Sequence, residues 1–124
     1  MKLLVVSKRQ YTGKDLIDDQ YGRLAEIPAA LAIAGHEVRG LAFSYRAKQE
    51  GTFKVKKVLW QSINTLPILG AITQLRLLRR TFNEFQPDII WASSDAWICI
   101  IVALTVKGRT PLVLDIYDNY ESFT

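Results

Sequence analysis

The chain has 124 residues, a formal net charge of +4 and a hydrophobic fraction of 49%. This length indicates one domain, and the composition is typical of a soluble globular protein rather than a disordered one. The single cysteine, Cys99, lies in an apolar run, which excludes an intramolecular disulfide framework and favours a reducing, cytoplasmic compartment. That run, residues 97–106, is about half as long as a bilayer span requires. The modest positive charge permits an anionic partner, but no nucleic-acid partner is expected.

The first third of the chain predicts two strands separated by a long polar segment and a helix. Lys2–Ser7 is a short apolar run typical of a buried strand. Ala25–Ala34 is rich in alanine and leucine and is followed by Gly35, a pattern typical of a helix with a glycine cap. Pro28 is expected in the first turn of this helix or at a kink, because proline has no N–H to donate. Glu37–Phe43 predicts the second strand.

The rest of the chain continues the alternation of strands and helices. Further strands are predicted at Phe53–Leu59, Ile89–Ala92 and Leu112–Ile116, and further helices at Ile68–Phe85, with Pro67 at its start, and at Ala96–Val106. The first of these helices is indicated by apolar residues at three- and four-residue steps, namely Ile68, Ile72, Leu75, Leu78, Phe82 and Phe85. The order predicts an α/β, Rossmann-like open sheet, mostly parallel, of about five strands with helices on both faces.

Two features at the end of the chain indicate that more polypeptide belongs to this domain arrangement. No helix follows the strand Leu112–Ile116, although parallel sheets are normally covered on both faces. The helix Ala96–Val106 is apolar on more sides than a helix bordering water requires. Residues 1–124 are therefore expected to form a single Rossmann-like domain, the first part of a larger protein.

The segment between the first strand and the first helix is far longer than the ~2–6 residues of ordinary connections in α/β domains. In open parallel sheets, ligands bind outside the carboxyl ends of the strands, where residues 7–20, 93–95 and 117–121 are expected to converge. We therefore expect the long segment to cover a ligand crevice. Its Gly13 and Gly22 fit either a turn or direct backbone contact with a ligand. They do not match a dinucleotide or P-loop motif.

Charged side chains in these segments have two interpretations each. Lys8, Arg9 and Lys14 either attract an anion or are ordinary solvated loop charges. Asp95 is either a helix N-cap or a carboxylate that holds a substrate hydroxyl. Asp118 and Glu121 either satisfy loop amides or complete a polar wall facing Asp95.

The histidine, serine and cysteine residues do not form a pattern typical of nucleophilic catalysis or of a metal site. His36, the only histidine, follows a helix-ending glycine at the opposite end of the sheet, where packing is its expected role. Ser93 and Ser94 consequently have no histidine partner on their side of the sheet. The sequence contains no cysteine and histidine cluster typical of a metal site, so neither a metal nor another cofactor is expected.

Together these segments resemble the N-terminal half of a GT-B glycosyltransferase, close to family 4 (group 1). The matching stretches are, in chain order, MKLLVVSKRQYTGKD, RLAEIPAALAIAGHEVRGLAFSYR, PDIIWASSDAWICIIVA and TPLVLDIYDNYESF. The resemblance implies two Rossmann-like domains facing a cleft, with a hydroxyl acceptor (glycan or lipid-linked) on this domain. The absent C-terminal domain would bind the nucleotide-sugar donor. Transfer would retain the anomeric configuration without a metal, and this chain alone would be inactive.

The resemblance also implies roles for particular residues. Gly13 and Lys14 would belong to the loop that approaches the donor phosphate and the acceptor. Asp95 would be the catalytic candidate, and it would share substrate binding with Ser94. Asp118 and Glu121 would lie beside the cleft and bind substrate. Many relatives carry histidines near the end of the fourth strand, where this chain has Ala-Ser-Ser-Asp.

Two further interpretations remain open at this point. The chain could instead be a non-catalytic Rossmann-like module that recruits a protein partner or a membrane. The segment Phe53–Arg80 mixes basic and apolar residues, which is typical either of a surface that docks on an anionic membrane or of a core helix with solvated basic edges. Docking would make the protein peripheral on the inner face of the membrane.

Overall fold

The computed structural model describes residues 1–11, 14–20, 23–66, 68–94, 96–106 and 110–116. The strands are β1 (Lys2–Lys8), β2 (Gln10–Tyr11), β3 (Lys14–Asp15), β4 (Glu37–Ser44), β5 (Gly51–Val55), β6 (Val58–Asn64), β7 (Ile89–Ser94) and β8 (Leu112–Ile116). The helices are α1 (Arg23–Ile33), α2 (Ala71–Phe85) and α3 (Ala96–Val106).

The six long strands form one open sheet in the order β5-β6-β4-β1-β7-β8, and β2 and β3 pair as a separate small hairpin. Every neighbouring pair in the sheet is parallel except β5 and β6. The predicted Rossmann-like α/β fold is therefore confirmed.

Hydrophobic layers cover both faces of this sheet. Successive residues of a strand point to opposite faces. In β1, Leu3 and Val5 accordingly pack on the α1 side, whereas Leu4 and Val6 pack on the side of α2 and α3. The central strand is thus buried on both faces, which is why it reads as an uninterrupted apolar run.

The single strand predicted at Phe53–Leu59 is wrong, because this stretch contains the turn of a hairpin. Val55 pairs with Val58 across the antiparallel β5–β6 ladder. The two residues between them, Lys56 and Lys57, have φ angles of 48° and 74°. Positive φ at both central residues is the pattern of a type I′ turn, whose twist matches that of the flanking strands. Two lysines lack the usual Asn-Gly signal, so the sequence did not reveal the turn.

Helix α1 confirms the predicted helix with bounds shifted by one or two residues. Pro28 lies inside the helix rather than in its first turn. Gly35 has a φ of 102°, and the N–H of His36 donates to the carbonyl of Leu31 at 3.1 Å. This is the left-handed glycine cap that the sequence predicted. His36 precedes β4 and therefore lies at the amino end of the parallel strands, as expected.

Helix α2 begins at Ala71 rather than Ile68, and its predicted apolar face is partly wrong. Ile68 and Ile72 are exposed, whereas the fully buried position near the start of the helix is taken by Gln74. The Gln74 amide donates to the carbonyl of Leu66 at 3.2 Å. A polar side chain thus anchors the segment before the helix, while the two isoleucines face solvent.

Helix α3 has the predicted bounds and packs beside α2 on the same face of the sheet. Ile100 and Leu104 on α3 and Val113 and Leu114 on β8 are exposed. None of the helices in the described ranges is long and apolar enough to cross a membrane.

Candidate ligand site at the carboxyl rim

The strand order creates a topological switch point at the carboxyl ends of the central strands. From β1 the chain moves outward to β4 and β6, and it then returns to the other side of β1 at β7. Val6 is paired with Ala92, and Ser94 is paired with Ile116, so the ends of β1, β7 and β8 lie side by side. We call this edge the carboxyl rim. Ligands of open α/β sheets bind at such a reversal of strand order.

The structure brings two of the predicted site residues to this rim. Ser94 is the last residue of β7, and Lys14 pairs with Tyr11 in the β2–β3 hairpin. The other predicted site residues lie outside the described residues; they are Gly13, Asp95, Asp118 and Glu121. Their roles stay predictions, although Asp95 directly follows β7 in the sequence. Gly22 also lies outside the described residues.

The long segment after β1 forms part of the core as well as a cover for the rim. The backbone N–H of Arg9 donates to the carbonyl of Phe43 at 2.8 Å, which continues β1 alongside β4. The N–H of Leu16 then donates back to the carbonyl of Arg9 at 2.9 Å, so the hairpin folds over the strand end. Leu16 and Ile17 are buried in the α1-side core. The length of the segment therefore reflects packing in addition to any ligand contact.

A buried arginine holds this segment in place. The Arg9 side chain is almost completely buried, with a relative residue exposure of 1%. Its Nε donates to both carboxylate oxygens of Asp15, at 2.9 and 3.0 Å, and its Nη2 donates to Oδ1 of Asp18 at 2.9 Å. Nη1 donates to Ser62 Oγ at 3.1 Å and to the carbonyl of Gln49 at 3.3 Å. One side chain thus connects the segment after β1 to β6 and to the loop before β5.

Asp15 is the central acceptor of this network. Its Oδ1 also accepts the backbone N–H groups of Ile17 at 2.9 Å and Asp18 at 2.8 Å. Burial by itself raises the pKa of Asp15, but the hydrogen bond from the Asp18 backbone, the Arg9 guanidinium and the Ile17 backbone outweigh it. The pKa therefore lies below its usual value, and Asp15 is a carboxylate at neutral pH.

The guanidinium of Arg9 is paired with carboxylates inside the protein, which decides between the two interpretations of this residue. Lys48 Nζ donates to Oδ2 of Asp18 at 3.1 Å, so two cations face two carboxylates. Arg9 is consequently neither a solvated loop charge nor an open anion site, and both predictions for it are wrong. Sequence reasoning missed this role because a single arginine after a strand does not show that carboxylates six and nine residues later fold back to it.

A second polar contact joins the same segment to the end of β4. The Gln10 side-chain amide donates to Ser44 Oγ at 2.7 Å, and its carbonyl accepts the backbone N–H of Tyr45 at 3.2 Å. Ser44 Oγ in turn donates to the carbonyl of Arg46 at 2.7 Å. The segment is thus fixed to the sheet on the β4 side of the switch point.

On the other side of the switch point, Gln74 fixes the start of α3. The indole Nε1 of Trp97 donates to Gln74 Oε1 at 3.0 Å. Trp97 lies in the first turn of α3, directly after the connection that contains Asp95. Buried polar side chains therefore position the backbone on both sides of the rim. In the described part of the chain, no three His, Cys, Asp or Glu side chains are grouped so as to hold a metal ion.

Comparison with known proteins gives matches among solved structures alone: neither family models nor curated proteins match the sequence. The UDP-GlcNAc 2-epimerase of Methanocaldococcus jannaschii matches with a TM-score of 0.62 and 12% identity, over 92% of this chain and 31% of the epimerase. An E. coli protein described as trehalose-6-phosphate bound with UDP-2-fluoro glucose matches with a TM-score of 0.55 and 18% identity, over 94% of this chain and 33% of that one.

A third match is the C-terminal domain of the PF1911 hydrogenase from Pyrococcus furiosus, with a TM-score of 0.59 and 16% identity, over 93% of this chain and 90% of that domain. At these identities the likeness shows the fold. This chain is a Rossmann-like α/β domain that spans about a third of the two UDP-sugar proteins, at 31% and 33% of their lengths. GT-B architecture and family 4 in particular stay predictions.

Proposed function

We propose that this chain is the acceptor-binding N-terminal domain of a retaining, metal-independent glycosyltransferase that moves a sugar from a nucleotide sugar to a hydroxyl acceptor. The observation that carries the proposal is the switch point between β1 and β7, where the predicted site segments begin. The two UDP-sugar proteins among the fold neighbours support it. Because the chain spans about a third of each of those, at 31% and 33%, a second domain would supply the donor.

The proposal gives each rim residue a task. Asp95 directly follows Ser94 at the rim, and a carboxylate there accepts a hydrogen bond from the acceptor hydroxyl. The acceptor oxygen bonds to the anomeric carbon while the bond from that carbon to the nucleotide diphosphate breaks. The hydroxyl proton passes to the departing diphosphate. Gly13 and Lys14 approach the diphosphate, and the two acids after β8, Asp118 and Glu121, border the acceptor.

Binding to the 124-residue chain tests the acceptor role. Its ¹⁵N-labelled form is titrated with a panel of mono- and disaccharides while amide shifts are followed. The expected result is a response at Lys14 and Ser94 that is lost in Asp95→Ala, with no response at His36 or Asp88 on the opposite edge. A panel that leaves the rim amides unmoved would count against the acceptor role. Turnover of a UDP-sugar by this chain alone would contradict the proposal that a second domain binds the donor.

The PF1911 domain favours a second candidate, a non-catalytic binding module. The match covers 90% of that domain, which shows that a unit of this size and fold forms a domain in a protein named as a hydrogenase. The two candidates differ in what Asp95→Ala does to the native gene product that contains this chain. Loss of sugar transfer supports the enzyme, whereas a native product that transfers no sugar and keeps its protein or membrane partner in Asp95→Ala supports the module.

We further propose that the protein is cytoplasmic and associates peripherally with an anionic membrane surface. Four large apolar side chains next to the start of α2 are exposed: Leu66 at 54%, Ile68 at 70%, Leu69 at 86% and Ile72 at 69%. We call these four residues the apolar patch. Single exposed apolar residues are ordinary, but a contiguous group marks an interaction surface. Binding to anionic vesicles is expected to weaken as salt rises, and binding that is indifferent to salt would contradict this partner.

A further inference from the structure

An open groove lies between α2 and β6. Its volume is about 450 Å³, and it is lined by Gln61, Ile63, Thr73, Arg76, Leu77 and Arg80. Ligand sites of small molecules typically span ~300–1,000 Å³. The groove lies on the flank of the sheet, between a helix and a strand face, whereas the proposed sugar site lies beyond the strand ends. It is therefore a separate candidate site.

The groove carries two arginines, of which only Arg80 has an ion-pair partner in the described ranges. Arg76 and Arg80 are four residues apart and so lie on the same side of α2. Within the described ranges, no carboxylate lines the groove or lies within ion-pair distance of Arg76. Arg80 Nε lies 3.9 Å from Glu84 Oε1, but both side chains are about two-thirds exposed, at 64% and 66%, and such pairs contribute little. Two adjacent guanidinium groups match the oxygens of a phosphate.

The groove is continuous with the apolar patch. Ile72, Arg76 and Arg80 follow one another at four-residue steps along α2, so the exposed isoleucine and the two arginines form one stripe. The floor of the groove adds the apolar side chains of Ile63 and Leu77. An apolar end next to a cationic recess is the arrangement of surfaces that insert into a bilayer while their cations remain at the phosphate level.

We propose that this groove binds the phosphate headgroup of an anionic lipid while the apolar patch enters the bilayer. The inference rests on the membrane association proposed above and adds a defined headgroup site to it. It is independent of sugar transfer. Arg76 and Arg80 would donate hydrogen bonds to one phosphate. An exposed arginine that does not line the groove would therefore contribute much less to binding.

Two double variants of equal charge test this site. In one, Arg76→Ala is combined with Arg80→Ala. In the control, Arg79→Ala is combined with Arg46→Ala, which removes two exposed arginines that do not line the groove. With phosphatidylcholine vesicles that contain phosphatidylglycerol, we expect the groove variant to bind at least ~25-fold more weakly than the unchanged chain and the control at most ~5-fold more weakly. All four side chains are exposed, so thermal unfolding should be unchanged.

Other outcomes would distinguish the headgroup site from the membrane association and from binding of free phosphate. Equal losses in the two double variants would overturn the headgroup site and leave the membrane association standing. Failure of the unchanged chain to bind these vesicles would overturn both. If glycerol phosphate or inorganic phosphate shifts the amides of Thr73 and Arg76 while vesicles do not bind, the ligand is a free phosphate and the lipid is excluded.

A further pair of variants tests whether the apolar patch enters the bilayer. Leu69→Ser is expected to weaken vesicle binding severalfold, because this side chain is exposed beside the groove. The matched control is Leu104→Ser on α3, an exposed leucine outside the apolar patch, and it should leave vesicle binding unchanged. Equal effects of the two substitutions would overturn insertion through this patch.

Discussion

The two arginine-containing regions of this chain are built in opposite ways. Arg9 is buried, and its guanidinium donates to two carboxylates, a hydroxyl and a backbone carbonyl. Arg76 and Arg80 line an open groove whose described lining contains no carboxylate, and the one ion pair there, from Arg80 to Glu84, is long and exposed. In the first region the protein uses at least four of the five N–H groups of the guanidinium for its own structure. In the second region the corresponding groups are available to a ligand.

This difference shows how the same residue type can serve structure or binding. A buried cation is tolerated when nearby carboxylates compensate for its lost hydration, and removal of one partner leaves the other unpaired. An exposed cation contributes little to stability, so its removal costs little. The comparison therefore predicts large stability effects in the Arg9 network and small ones around the groove.

The largest effect is expected for Arg9→Ala. It leaves the buried carboxylate of Asp15 without its main partner, which should lower the free energy of unfolding by ~3–5 kcal/mol. Arg9→Lys should restore only part of this loss, because one ammonium group cannot reach Asp15, Asp18 and Ser62 in the same fork geometry. Urea unfolding followed by circular dichroism measures both. Arg79→Ala is the control, with an expected change within ~0.5 kcal/mol; similar losses for the two alanine variants would contradict the comparison.

A smaller loss is expected for Asp15→Asn, with a change in pH dependence. Removing the charge while keeping the shape weakens the bonds from Arg9, which should cost ~1.5–3 kcal/mol at neutral pH. The pKa of Asp15 is lowered in the folded state, so its contribution is present above the unfolded pKa of ~3.9 and is lost as pH falls through the folded value. The variant should therefore lose less stability between neutral and acidic pH than the unchanged chain. Urea unfolding at several pH values tests this, with Glu84→Gln as an exposed control; parallel pH profiles would contradict the assignment.

The fold was predictable because it depends on local patterns. The apolar run of β1, the glycine cap after α1 and the apolar helix α3 each carry their signal in adjacent residues, and the β-α alternation then restricts the sheet to a few arrangements. The β5–β6 turn escaped because Lys56 and Lys57 adopt positive φ angles without the residues that favour them. Tertiary pairing determined that turn.

The sequence predicted which edge of the sheet these segments reach, but it did not predict the side-chain contacts there. Parallel strands bring their carboxyl ends to one edge, so Ser94 and the segment containing Lys14 could be assigned to the rim. The buried positions of Arg9 and Gln74 could not, because each depends on partners from distant parts of the chain. The same limit applies to the apolar patch, whose Ile72 fits a core-facing periodicity in the sequence but is exposed, while Gln74 occupies the buried position.

The Gln74 contacts on the other side of the switch point give a moderate effect. Gln74→Leu keeps the volume but leaves Trp97 Nε1 without its acceptor and removes one of the donors to the carbonyl of Leu66, which should cost ~1–3 kcal/mol. Because the indole of Trp97 loses its hydrogen bond to Gln74, the fluorescence of Trp97 should shift even in the folded variant. Trp97→Phe combined with Gln74→Leu should cost less than the sum of the single substitutions, since both remove the same hydrogen bond. Additive costs would show that the two side chains are not coupled.

The smallest effect is expected at the apolar patch, where it separates an interaction surface from a core. Leu69 is 86% exposed and Leu78 is 2% exposed, although both lie in the apolar stretch around α2. Leu78→Ala should lower the free energy of unfolding by ~2–5 kcal/mol, whereas Leu69→Ala should change it by no more than ~0.5 kcal/mol. Chemical unfolding of the two variants measures this difference. A loss above ~1 kcal/mol for Leu69→Ala would mean that its side chain is packed against the protein, because truncating a solvated side chain removes little buried area. If substitution of Leu69 leaves the free energy of unfolding unchanged but weakens vesicle binding, this leucine contributes to binding and not to the stability of the fold.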